Sequence, residues 1–223
     1  MLYISFLILA GCISNKLRLD ASYFISTSRT GFILISELES SSSSSGGGVI
    51  GAVASSSAQP ESKYDEALQM IKSNIVPDEK VKQLYIDAFS AKGKTLSFIE
   101  DTLDLKNDIL FSSKNKDPKK RYFKYDLRSL KEKYQIDELL LVTVEYGVYA
   151  KYSYGIETRR YGKMHLITII INLTDNSIIY KNGTLHTQKI TGKWNTPPEY
   201  TSLKNGILKA IDETLSDEKI KLQ

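Results

Sequence analysis

Between Leu139 and Ile190 the chain carries three successive runs of β-forming residues, and this stretch limits the fold more than any other. The runs are Leu139 to Tyr154, Lys163 to Leu173 and Ile178 to Ile190, with Thr174-Asp175-Asn176-Ser177 between the second and third. Asp and Asn side chains bond the nearby backbone and tolerate tight turns, so runs joined this closely pair antiparallel. The pattern predicts a three-strand meander. Such a sheet has an apolar face to bury, and it needs helices to cover it.

The rest of the chain supplies them. Tyr64, Leu68, Ile71 and Ile75 have the spacing of one apolar helix face, which Pro77 ends. Val81, Leu84, Tyr85, Ala88 and Phe89 begin another, and Leu96, Phe98 and Ile99 suggest a short strand. Residues 126–134 read as a third helix, with Leu127, Leu130 and Tyr134 on one side. Thr196-Pro197-Pro198-Glu199 fits a capping box, with Leu203, Ile207, Ile211 and Leu215 as the buried face that follows. The predicted class is α/β of the α+β kind: a mostly antiparallel sheet with a C-terminal three-strand meander and helices packed on one face. With 41% apolar and 25% charged residues over 223 positions, the chain has enough apolar material for such a core.

Upstream, Tyr23-Phe24-Ile25 and Phe32 to Ile35 flank Ser28-Arg29-Thr30-Gly31 and suggest a strand or hairpin. Ser40 to Gly48 is serine and glycine only, the composition of a flexible linker. Val49 to Ala54 is a small apolar island after that run; Gly47 and Gly51 stand four apart, the spacing that lets two helices approach, so membrane contact or self-association is the alternative to a loop tucked against the domain. The expected division is 1–11 a signal peptide, 12–60 an N-terminal strand region with a Ser/Gly linker, and 61–223 an α/β domain.

Residues 2–10 are an apolar run, too short to span a bilayer but fitting a signal-peptide core, and Gly11 and Cys12 follow. Leu9-Ala10-Gly11-Cys12 resembles the lipobox of bacterial lipoproteins. That resemblance implies diacylglycerol on the Cys12 thiol, cleavage before Cys12 and acylation (palmitate or a similar chain) of the new amine. Two or more acyl chains give a stable anchor. No Lys or Arg precedes the apolar run, so either the true start lies further upstream or the segment is unusually short. Ile13 in place of Asp implies, by the same resemblance, an outer-membrane lipoprotein facing the periplasm.

A second resemblance rests on Lys133 to Val142 and on Ile171 to Tyr180. A helix that ends in Lys133-Tyr134-Gln135-Ile136-Asp137-Glu138 and enters an apolar strand resembles curli-secretion-type lipoproteins and the lipoprotein activators of penicillin-binding proteins. Their hairpin is similar to Leu173-Thr174-Asp175-Asn176-Ser177, with an aromatic, Tyr180, on the next strand. The resemblance implies a non-enzymatic scaffold, secretion component or regulator in the cell envelope.

The candidate sites are few. A single cysteine excludes a disulfide framework and multi-cysteine metal centres, and two histidines leave little for a metal, so no cofactor or metal is expected. His165 and His186 fall in neighbouring predicted strands and could face each other, but no nucleophile has a recognisable spacing to them. Glu100, Asp101, Asp104 and Asp108 lack the glycine of a calcium loop and read as solvated. Gly93-Lys94-Thr95 lacks the earlier glycine of a phosphate loop.

Two features suggest partner binding. Lys114 to Lys133 holds nine basic residues against three acidic, centred on Lys119, Lys120 and Arg121 and interleaved with Tyr122, Phe123 and Tyr125. Fourteen tyrosines outnumber seven phenylalanines, and Tyr146, Tyr152 and Tyr154 share a strand phase with Val148 and Ala150. That face is expected to pack beneath helices, and if open it would be a platform for a partner or glycan. A net charge of +4 is too mild to argue for nucleic acid. The expected partners are the membrane, through the anchor, and an envelope protein or a second copy. An envelope polymer held by the tyrosines or the basic segment is the alternative.

Overall fold

The computed structural model describes residues 19, 21–45, 63–100, 103, 110–112 and 117–223. Cys12 and the 1–11 segment, the glycines after Ser45, the apolar island, and Asp101, Asp104 and Asp108 lie outside these residues.

Five strands form one sheet. They are β1 (Thr30–Ser45), β2 (Leu96–Phe98), β3 (Glu138–Ser153), β4 (Ile156–Asn172) and β5 (Ile178–Lys189), in the order β2-β1-β3-β4-β5. β3, β4 and β5 make the expected antiparallel meander and supply the greater part of the paired positions. β1 runs parallel to both β2 and β3. The helices are α1 (Ala21–Ile25), α2 (Asp65–Ile71), α3 (Asp78–Ser90), α4 (Ser129–Tyr134) and α5 (Thr201–Leu222), with a 3-10 turn over Lys72–Asn74. The mixed α/β class is as the sequence implies.

Alternation along β3 decides what each face does. Leu140, Val142, Val144, Tyr146, Val148 and Ala150 are buried on the face covered by α1, α2, α3 and α5. Ile71, Val81, Tyr85, Phe89, Leu203, Ile207 and Ile211 pack down onto them. The opposite face is covered at one end, where Leu139, Leu141, Ile169 and Ile171 meet Leu127, Leu130 and Ile136 from α4 and its flanks. Each fully buried Leu or Ile contributes roughly 1.5–3 kcal/mol. β3 and β4 are joined by Tyr154-Gly155 alone, both at positive φ (51° and 80°), the two-residue turn whose twist matches the flanking strands.

Three local readings are corrected. Tyr23-Phe24-Ile25 form the helix α1 rather than a strand, because edge contacts of Tyr23 and Phe24 with Phe89, at 6.4 and 5.6 Å, override local β propensity. Ser40 to Ser45 are not linker. They extend β1 in register from Ser40 opposite Val148 to Ser45 opposite Ser153. The backbone ladder does not depend on side chains, and Ser40 and Ser43 add bonds to Asp65 (2.8 Å) and the Tyr149 hydroxyl (2.6 Å). The sheet therefore takes in residues 30–45, outside the expected 61–223 domain. Finally, α5 starts at Thr201 after Tyr200 in the left-handed region, with no side-chain cap, so Thr196 caps nothing.

Candidate functional site

Of the basic segment, residues 117–133 are held at the end of the sheet where β4 turns into β5, and Lys114 and Lys116 lie outside the described residues. Asn176, buried and at positive φ in that turn, is its clamp. Its carboxamide oxygen accepts from the Leu127 amide (3.1 Å), and its nitrogen donates to the Phe123 and Tyr125 carbonyls (3.2 and 2.9 Å). The Ile178 amide donates to the Arg121 carbonyl at 2.7 Å. Lys119, Lys120 and Arg121 are thus displayed together, all exposed. Lys120 donates to Asp175 at 2.7 Å. Burial alone would raise the Asp175 carboxyl, but bonds from Lys120 and Ser177 outweigh it and hold it below the ordinary range. The interleaved aromatics are used for packing: Tyr122 stacks on Phe111 at 5.4 Å and Phe123 meets Tyr125 at 6.0 Å.

The three tyrosines singled out from the sequence do not form one surface. Tyr146 is buried beneath the helices, Tyr152 is partly buried on that side, and Tyr154 is 80% exposed at the hairpin tip. The half-open tyrosines are in the opposite phase. Tyr149 and Tyr161 lie 6.2 Å apart on the second face, beyond the part that α4 covers, with the Lys151 ammonium 5.9 and 5.6 Å from their rings. Glu39 pairs with Lys163, and Glu145 with His165 at 3.6 Å, on the same face. The signal was in the sequence: Val142, Val144, Val148 and Ala150 fix the inward phase, leaving Thr143, Glu145, Tyr149 and Lys151 outward.

His165 and His186 do not face each other. His186 stands opposite Met164 and His165 opposite Leu185, so strand alternation puts them on opposite faces. His186 lies 3.4 Å from Asp217 and 3.8 Å from Glu213 of α5. Asp217 is held low by the bond from Lys221 and then by His186. Among the described residues no group of three or more His, Cys, Asp or Glu could hold a metal ion.

Two buried polar groups had no sequence signal. Lys94, read as the false end of a phosphate loop, is buried and donates to Glu138 (3.1 Å), Ser28 (3.0 Å) and the Tyr23 carbonyl (3.4 Å). Glu138 also accepts from the Tyr23 hydroxyl at 2.9 Å, and burial, then the Glu138 charge, pushes that hydroxyl far above its ordinary range. Glu218 of α5 is fully buried among hydroxyl and amide donors: Tyr85 (2.9 Å), Thr168 (3.0 Å), Asn182 (2.9 Å) and Thr184 (2.7 Å). Both bind elements to the sheet.

No family model and no curated protein matches the chain. Among solved structures it is similar to a neuraminyllactose-binding hemagglutinin homolog from Helicobacter pylori, at 12% identity and TM-score 0.39, covering 95% of this chain and 91% of that one. It is also similar to a hypothetical protein from Chlamydia trachomatis, at 11% identity and TM-score 0.34, over 87% and 98% of the two chains. A lipoprotein from Neisseria meningitidis aligns at 13% identity and TM-score 0.27, over 85% and 99%. Likeness this loose carries no functional information.

Proposed function

We propose that the chain is a lipid-anchored envelope protein that works through contacts with other proteins, as a scaffold, secretion component or regulator, and performs no catalysis. One observation carries the reading: an apolar run of signal-peptide length ends in Leu9-Ala10-Gly11-Cys12, where the thiol of the one cysteine is the acyl acceptor. The resemblance of Lys133–Val142 and Ile171–Tyr180 to envelope scaffolds supports the choice of role. The address that fits Ile13 after the cysteine is the outer membrane, facing the periplasm. Among the described residues no helix is long and apolar enough to cross a membrane.

Feeding cells an alkyne-tagged palmitate and measuring the intact mass tests the anchor. The wild-type chain should carry the tag and fractionate with membranes, and Cys12→Ala should do neither. A wild-type chain without acyl mass, or a tagged Cys12→Ala chain, sinks the reading. Crosslinking in native membranes then reads the role: a defined complex with one envelope protein or with further copies is expected.

The second reading, an envelope-polymer binder, rests on the joint display of Lys119, Lys120 and Arg121. Alanine at these three positions should then abolish a salt-sensitive polymer interaction while leaving protein crosslinks intact.

A further inference from the structure

We infer that the basic end of the sheet is a docking surface for the anionic phospholipid leaflet that holds the anchor, so that the domain stands on the membrane by this end. The inference rests on the lipid-anchor reading. Two separate observations point to the same end of the molecule.

The first is where the tether arrives. Leu19 packs against the helix-covered core, and α1 follows it directly. α1 sits at the starting ends of β1 and β3, because Tyr23 bonds Glu138, the first residue of β3. Six residues, 13–18, separate Cys12 from Leu19. Even fully extended, that length reaches at most about 25 Å. The acyl chains therefore hold this end of the sheet near the bilayer.

The second is the charge found there. β4 ends and β5 begins at the same end, since Glu138 pairs with Asn172 and the turn that follows clamps the basic segment. Over 117–133 the chain has seven basic residues against three acidic. Lys119, Lys120, Arg121, Lys124 and Lys133 are all exposed, Lys120 with Asp175 at 2.7 Å, and Arg29 lies just before β1. Asp126 is neutralised by Arg128 at 2.7 Å, and Asp137 is shared by Arg29 (3.3 Å) and Lys131 (3.7 Å). A basic patch beside an acyl anchor adds an electrostatic hold on anionic lipid that falls with salt. An acidic protein or polymer would match the charge equally well, but the tether brings lipid to it first.

The chain contains its own distal reporter. Its one tryptophan, Trp194, packs on Tyr64 (4.6 Å) near Arg160, at the opposite end of β4. Asn172 lies twelve strand positions beyond Arg160, a span of roughly 40 Å. The full-length acylated protein is reconstituted into vesicles of brominated phosphatidylcholine, alone or mixed with phosphatidylglycerol. Quenching of Trp194 is compared with that of a Pro118→Trp, Trp194→Phe variant. The tryptophan at 118 should be quenched strongly in the anionic vesicles and weakly in the neutral ones or in high salt, and Trp194 weakly in all. Adding K119Q, K120Q and R121Q, all at exposed positions, should lower the docked-to-free ratio tenfold or more, on the order of what three surface charges contribute. Equal quenching at 118 and 194, or no dependence on lipid charge, overturns the inference. The two failures are distinguishable: a chain whose intact mass shows no acyl group removes the anchor reading, whereas an acylated chain without charge-dependent quenching removes only the docking.

Discussion

The Lys94 ammonium lies 3.1 Å from the Glu138 carboxylate, with side-chain exposures of 4% and 10%. Through this pair the loop after α3 is tied to the first residue of β3, and Tyr23 and Thr30 complete the carboxylate's partners. Two charges removed from water gain little as a pair, yet losing one strands the other. Lys94→Met should therefore lower unfolding stability by about 3–5 kcal/mol in urea titrations. The double variant Lys94→Met, Glu138→Leu should cost clearly less than the sum of the singles. Additive costs would show that the two groups do not act as a unit.

Glu218 presents the converse case, a buried carboxylate balanced by neutral donors rather than by a cation. Tyr85, Thr168, Asn182 and Thr184 all point at it, from α3, β4 and β5. Burial, followed by the Glu218 charge, drives the Tyr85 hydroxyl well above its ordinary range, and Tyr180 is pushed up to about 12 by burial and the same charge. Glu218→Leu leaves about two of these four donors without an acceptor, because Tyr85 and Thr168 still bond each other and Asn182 still donates to Thr184, and each orphan costs about 1–3 kcal/mol. The variant should lose most of its stability, and α5 should lose amide-exchange protection ahead of β3. Wild-type protection of α5 in the variant would mean that the helix is held by its apolar face alone.

Much of the fold was legible because apolar periodicity is a local property. The meander, the last helix and the pairing of Asp175 and Asn176 with a turn all follow from residues close in sequence. The same alternation contained the inward phase of Tyr146 and Tyr152, which only Tyr154, beyond the last strand residue, escapes. What local pattern does not contain is pairing over distance. Ser40 to Ser45 have no intrinsic reason to be a strand, and they become one because β3 offers a free edge as long as β1. Lys94 and Glu138 are ordinary surface residue types, and their burial depends on α1 closing over them. The basic segment was legible as charge, but its place at the end of the sheet where β3 begins emerges only from the Asn176 clamp.

Gly162 and Gly206 let α5 lie directly on β4. A Cβ at Gly162 would stand 2.3 Å from the Gly206 carbonyl carbon and oxygen, which are backbone atoms that cannot rotate aside. Gly162→Ala should therefore push the helix off the sheet and cost about 1–3 kcal/mol or more. Gly183→Ala is the control, because its nearest neighbour, a His165 ring nitrogen, is 3.7 Å away. That change should be neutral or slightly stabilising in the same thermal melts. Equal losses at both positions would show that strand propensity, not helix approach, sets the cost.

At the opposite end of the sheet from the basic segment, Glu157 gives the protein an acid-sensitive contact. Its side chain is 7% exposed and meets Lys63 (2.5 Å), the Tyr64 hydroxyl (2.6 Å) and Arg160 (2.6 Å). Burial by itself would raise the Glu157 carboxyl, but the bonds from Lys63, Tyr64 and Arg160 together outweigh it and hold it low. A folded pKa below the unfolded value means that stabilisation is complete above the unfolded value, about 4.3, and is lost as pH falls through the lower folded one. At pH 7, Glu157→Gln should cost about 2 kcal/mol, the scale of hydrogen bonds to a charged group. Urea titrations repeated at descending pH should show the gap between wild type and variant closing below about 4.3. A gap that stays constant into acid would mean that the carboxyl titrates no differently folded than unfolded, so that the cost of the variant owes nothing to the Glu157 charge.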